Sequence, residues 1–91
     1  MKKSELVSAM LEKNDTLDSD VLSKSIDIIF NEISESLVRG DRVEIRGFGA
    51  FSVLGKPERM GRNPRTGEPV QIAAKNVVHF KSGKDLKEAV N

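Results

Sequence analysis

Four cations, Lys56, Arg59, Arg62 and Arg65, stand within a twelve-residue stretch whose only acid is Glu58 and whose only large apolar side chain is Met60. Such a segment has nothing to bury, and its guanidinium groups are planar, permanently charged donors that match phosphate oxygens. Its centre is Gly61-Arg62-Asn63-Pro64-Arg65-Thr66-Gly67. Asn63 and Pro64 form a turn pair: proline presets φ for the second turn position, and the asparagine side chain hydrogen-bonds the turn ahead of it. Gly67 supplies a residue free to take φ > 0 as the chain returns. The pattern predicts a basic hairpin arm that lies on a polyanion.

The remaining charge is divided unevenly along the chain. Residues 1–40 carry five Lys/Arg against eight Asp/Glu, and residues 41–91 carry ten against six. A basic half on a chain of net charge +1 points to a dedicated anion-contact surface rather than general adhesion. With 91 residues the expectation is one small domain spanning 1–91. There is no cysteine, which removes disulfides and thiolate metal sites and is compatible with a reducing compartment. No apolar run exceeds three residues, as at Ile28-Ile29-Phe30, so neither a membrane span nor a signal-peptide core is expected. His79 is the sole histidine, and Asp15, Asp18 and Asp20 lack the glycine and distal glutamate of a calcium loop. No metal or cofactor is therefore expected.

The elements that position the arm follow from periodicity. Lys3 to Lys13 reads as a helix with Leu6, Ala9, Met10 and Lys13 on one face. After Asn14-Asp15-Thr16, Asp18 is the expected N-cap of a longer helix, with Leu17 and Leu22 at hydrophobic-staple spacing. Its apolar stripe is Val21, Leu22, Ile26, Ile29, Phe30, Ile33 and Leu37, and Gly40 follows as a C′ glycine. From Asp41 the period becomes two. Val43 and Ile45 alternate with Arg42, Glu44 and Arg46, Gly47-Phe48-Gly49 turns the chain, and Ala50 to Leu54 returns. The arm covers roughly 55–74, and each limb of about ten residues reaches about 33 Å if extended. Asn76 to Phe80 is the third body strand. Ser82 and Asp85 stand at capping-box spacing before a short last helix carrying Leu86 and Val90.

The fold class is thus α+β: a helical hairpin base, a three-stranded sheet with a long protruding β-arm, and a short C-terminal helix. Two helices and three strands leave Phe30, Phe48, Phe51 and Phe80 with more apolar surface than one small chain closes over. The expected solution is an intertwined dimer whose subunits share a core.

Three stretches together identify a family. Arg46-Gly47-Phe48-Gly49-Ala50-Phe51, Gly61 to Gly67, and His79-Phe80-Lys81-Ser82-Gly83-Lys84-Asp85-Leu86 closely resemble the bacterial HU and integration host factor family, in order and spacing over essentially the whole chain. The resemblance implies a cytoplasmic nucleoid protein, a dimer that binds the minor groove of double-stranded DNA with two β-arms and bends it sharply. Support of recombination, transcription and nucleoid organisation follows from the same likeness. Arg42-Val43-Glu44-Ile45-Arg46 and His79-Phe80-Lys81 are similar to the beta branch of integration host factor, which pairs with a different alpha chain. Ala73-Ala74-Lys75 and the ending at Asn91 are similar to HU, which pairs with itself and binds without sequence preference. Both readings stay open at this point.

The resemblance also assigns roles. Pro64 is the wedge that unstacks a base step, flanked by Arg62, Asn63 and Arg65, with Lys56, Arg59 and Lys75 along the arm contacting phosphates. Arg46 reaches the minor groove from the body, oriented by Glu44, with Arg42 beside them. Phosphates of the bent flanks meet the starts of the first and last helices, at Lys3-Ser4 and at Lys81-Ser82-Gly83-Lys84. Blander readings exist for each: Pro64 as a turn former only, Glu44 and Arg46 as a solvated charge pattern, His79 as a strand residue near an interface. An enzyme is not expected, because no spacing brings a nucleophile and a base together and no small-molecule site is evident. A module binding acidic proteins through the arm is the remaining rival.

Overall fold

The structure, a computed structural model, describes all 91 residues. In chain order it holds α1 (Lys3–Lys13), α2 (Ser19–Val38), β1 (Val43–Ile45), β2 (Gly49–Lys56), β3 (Arg59–Arg62), β4 (Pro69–Ile72), β5 (Lys75–Ser82) and α3 (Lys84–Ala89). The chain divides into two compact units, residues 1–35 and 36–91. No helix is long and apolar enough to cross a membrane.

In the helical unit, Asp18 caps α2 as its position predicts. One carboxylate oxygen accepts the N–H groups of Asp20 (2.8 Å) and Val21 (3.1 Å), filling donors that the first turn leaves without partners. Val7 of α1 packs with Leu22 and Ile26 of α2, and Leu6, Met10 and Leu11 close around them. The face of α1 differs from the one its spacing predicts. Leu6 and Met10 are on it, but Val7 and Leu11 complete it, while Ala9 is outside the packed cluster and Lys13 is exposed. An i, i+3, i+4 count from Leu6 runs into lysine, whereas Val7 and Leu11 are a turn apart on a stripe that is apolar throughout. At its other end α2 stops in a Schellman motif. Gly40 takes φ +86°, its N–H donates to Leu37 C=O, and the Asp41 N–H donates to Ser36 C=O, each at 2.9 Å.

The sheet unit is built on one antiparallel pair. β2 lies between β1 and β5, and Gly49 through Lys56 face Ser82 through Lys75 residue by residue. Gly55 and Lys56 are thereby the last rungs of the body ladder. Pairing lapses at Pro57-Glu58 and Ala73-Ala74 and resumes in the two-stranded sheet β3–β4, from Arg59 opposite Ile72 to Arg62 opposite Pro69. The count of residues on the two limbs is equal across the lapse, so register is kept from body to tip. Pro57 has no N–H to give to the ladder there.

Two local details depart from the sequence reading. Arg46 is not a strand residue: β1 ends at Ile45, and Ile45-Arg46-Gly47-Phe48 is a turn closed by Phe48 N–H to Ile45 C=O (3.0 Å). Gly47, with φ +83°, occupies the turn position that requires a left-handed backbone. Nor does Ser82 cap α3. It pairs with Gly49 as the end of β5, the N-cap is Gly83, and no side chain bonds the cap. The Asp85 carboxylate lies instead beside Gly47. Sheet pairing holds Ser82 extended one residue too early for a capping box.

Alternation gives the body sheet two unlike faces. Val43, Ile45, Phe51, Val53, Val78 and Phe80 share one. There Phe80 packs on Phe51 and Phe48 with ring centroids 4.8 and 5.4 Å apart, tilted near 50° as aromatic pairs prefer. Within a single chain this face stays open: Val78 keeps 61% of its surface exposed and Phe80 37%. The helical unit does likewise, with Ile28 at 65%, Ile29 at 56% and Phe30 at 49%. The buried hydrophobic residues are Val7, Leu22, Ile26 and Ala50 alone. One chain has the parts of a core and not a closed one.

Gly49 is fixed by close approach. A Cβ there would stand 2.5 Å from the Phe80 ring and 2.6 Å from the Lys81 carbonyl oxygen. Gly49→Ala therefore overpacks both a ring and a backbone, a cost of about 1–3 kcal/mol. Thermal melting followed by circular dichroism should show a Tm lower by about 5 °C or more; an unchanged Tm contradicts this packing.

Candidate nucleic-acid interface

The second face of the body sheet is basic. Lys56 stands opposite Lys75 in the ladder, and Lys81 and His79 follow on the same side of β5 opposite Ala50 and Ser52. All four charged or titratable side chains are exposed. His79 and Ser52 are members of this face that the sequence reading does not include. The signal was available: counting back by twos from Lys81 reaches His79, Val77 and Lys75. Like charges directly opposite one another, as at Lys56 and Lys75, are unfavourable in isolation. An anion lying across them turns that repulsion into attraction.

At the β1 end of the sheet a cleft of about 360 Å3 is lined by Arg42, Glu44, Arg46, Lys81, Ser82, Gly83 and Lys84, among others. Four cations and one acid therefore converge, drawn from β1, the following turn and the β5–α3 junction. Glu44 pairs with Arg42 (3.7 Å), not with Arg46 as the sequence reading has it. The reason is the turn: Arg42 and Glu44 are two apart and share a side, whereas Arg46 has left the strand. Both partners are about two-thirds exposed, so the pair is weak and readily exchanged for another anion. At the junction, the Gly83 N–H is already given to Phe48 C=O (2.8 Å). Donors for an anion there come from the first turn of α3, from Lys84 onward, and from the lysine side chains.

In the helical unit, Lys3 is held in an exposed ion pair with Asp27, and Ser4 uses its carbonyl to accept the Ser8 hydroxyl (3.0 Å). The Lys2 C=O accepts the Leu6 N–H, which makes Lys3 and Ser4 the first residues of α1, with their N–H groups unpaired within the helix.

The arm tip is the most highly bonded loop of the chain. Asn63 organises it: its N–H donates to Glu68 C=O (2.9 Å), its C=O accepts the Gly67 N–H (2.7 Å), and its side-chain Oδ1 accepts the Arg65 N–H (2.8 Å). Pro64 sits at the crown between them, exposed, and Gly67 closes the loop with φ +74°. Behind the tip, Gly61 leaves room for Ile72, whose Cδ1 would meet a Cβ at 2.6 Å. Cross-strand pairing puts Arg59 with Val70 and Ile72 on one side of the arm, and Met60 and Arg62 with Gln71 on the other. Both sides of the arm thus carry a cation and an aliphatic stem.

These features meet known proteins at one place. The bacterial DNA-binding protein family matches residues 1–91. The integration host factor subunit beta of Halorhodospira halophila is 50% identical over 91 residues, all of this chain and 89% of that protein. The subunit of the same name from Actinobacillus succinogenes is 47% identical, over all of this chain and 97% of that one. Among solved structures, the Anabaena HU–DNA cocrystal superposes with a TM-score of 0.88 at 34% identity, covering 99% of this chain and 97% of that one. HU from Thermotoga maritima gives 0.70 at 30% identity with both chains fully covered. The chain belongs to the bacterial DNA-binding protein family, that of HU and integration host factor.

Proposed function

We propose that this chain is an architectural DNA-binding subunit, the beta half of an integration host factor, which binds the minor groove and bends duplex DNA sharply. The observation that carries the reading is the arm: a hairpin in register with the body ladder, cationic on both sides, with an exposed proline at its crown. Proline at that place is rigid, apolar and without a donor, suited to enter a base step and not to bond its edges. Unstacking costs a few kcal/mol, and the bend offsets it by bringing flanking phosphates to the basic face and the cleft. Lys56, Arg59, Arg65 and Lys75 neutralise phosphates near the arm; Arg42, Arg46, Lys81, Ser82, Gly83 and Lys84 receive DNA at the body; Lys3 and Ser4 take a flank. The exposed Lys3–Asp27 and Arg42–Glu44 pairs exchange carboxylate for phosphate at little cost.

A second subunit of the family is the partner. The open aromatic face and the half-exposed Ile28, Ile29 and Phe30 need a second chain to become a core. Identity near one half with integration host factor beta subunits, against about one third with HU, favours an alpha chain over a second copy. The protein works on the bacterial nucleoid in the cytoplasm, and its role is architectural and not catalytic.

Bending by energy transfer between dyes at the duplex ends tests this, with Pro64→Ala as the probe. The substitution should leave melting unchanged and lower the bent fraction; a bend as sharp as wild type removes the wedge. Binding of the lone chain and of the chain with an alpha subunit, across a salt series, separates the two dimers. Site preference gained only with the alpha subunit supports the beta reading, and a stable, indiscriminate homodimer supports an HU-like one. Arg46→Ala should reduce affinity for a preferred site more than for random duplex. Equal losses on both would remove Arg46 from site selection.

A further inference from the structure

The tip loop holds one arginine that is bonded within the loop itself. Arg62 donates from Nη1 to the carbonyl oxygen of Gly67 (3.1 Å), across the neck of the loop. That carbonyl belongs to the peptide joining Gly67 to Glu68, one residue before β4 begins. Gly67 is in the left-handed region, and nothing lies within 4 Å of where its Cβ would be. No side chain packs over Gly67 to restrain this peptide from that side, and glycine gives it wide backbone freedom. Its other bond, the Glu68 N–H to Thr66 Oγ1, is long at 3.3 Å. Arg62 is the stronger tether on the peptide, and the planar fork of a guanidinium is better at fixing a plane than a single ammonium donor.

The consequence reaches Pro64. The Gly67 N–H and Glu68 C=O both bond Asn63, the residue from which Pro64 projects. A rotated Gly67–Glu68 peptide misaligns these closures and loosens the base on which the ring stands. We infer that Arg62 is a positioning residue for the Pro64 wedge, acting by clamping the Gly67 carbonyl and not by neutralising a phosphate. The inference rests on the reading of Pro64 as the wedge and adds the element that keeps it rigid before DNA arrives. Preorganisation of this kind raises the bent population without adding a contact.

A double-mutant cycle on the assembled dimer tests it, with wild type, Arg62→Ala, Pro64→Ala and the double variant. For each, the bent fraction of saturated complex is read by energy transfer, and the slope of log K against log salt by titration. Arg62→Ala should lower the bent fraction about threefold when Pro64 is present and change nothing further when Pro64 is already alanine. Its salt slope should stay close to that of wild type. A phosphate contact gives the opposite pattern: a slope smaller by about 0.9, the same bent fraction in saturated complex, and losses of affinity that add to those of Pro64→Ala. That pattern overturns the inference. Should wild type itself leave DNA straight, the wedge reading fails as well; should Pro64→Ala alone lower bending, only the role of Arg62 fails. Melting curves of the four proteins, expected to coincide, confirm that the body is intact.

Discussion

One antiparallel register governs this molecule. The pairing that sets Gly49 against Ser82 also sets Arg62 against Pro69, because the two limbs lose the same number of residues where the ladder lapses. In a strand, a slip of a single residue sends every side chain to the opposite face. Here it would turn Lys75, His79 and Lys81 toward the aromatic side and Phe80 toward the basic one. It would also move the crown of the hairpin off Pro64. The separation of an apolar face from a cationic face, and the presence of proline at the tip, are therefore consequences of one alignment. The Phe80 ring over Gly49 and the turn at Gly47 pin that alignment from the body end, and the bonds of Asn63 pin it from the tip.

The lapse at Pro57-Glu58 and Ala73-Ala74 matters for the same reason. It interrupts hydrogen bonding without altering the count, so the arm gains freedom to change direction while its faces stay matched to the body's. A hairpin that must follow a curved groove needs both properties. The like-charged rung of Lys56 and Lys75 sits at the root, as the last pair of the body ladder.

Much of this was legible from residue order. The two ends of α2 were, because Asp18 and Gly40 act on their own helix and need no tertiary partner. The arm and its tip were, because an asparagine–proline pair between basic limbs marks a turn that neither limb can bury. What escaped was set by pairing at a distance. Ser82 looks like a helix cap in a local window, yet the strand opposite claims it. Arg46 reads as a strand residue until the turn at Gly47 takes it out, and with it goes the expected bond to Glu44. Val7 and Leu11 lie outside the spacing that starts at Leu6 because the face of α1 is chosen by Leu22 and Ile26 of its neighbour, not by α1 alone. Arg62 and Lys56 look alike in sequence, and only the bonded loop distinguishes an arginine that holds the tip.

The central claim is that the arm tips enter the minor groove, one from each subunit of a dimer. The chain contains no cysteine, so a single introduced thiol is a unique address. Glu68 is exposed next to the tip and its side chain makes no hydrogen bond, which makes Glu68→Cys a benign site for an iron chelate. Cleavage of a bound duplex should then fall in discrete clusters, with the cuts on the two strands offset toward their 3′ ends, as for a source of radicals within the minor groove. Cuts offset toward the 5′ ends, or a diffuse pattern, would contradict the account.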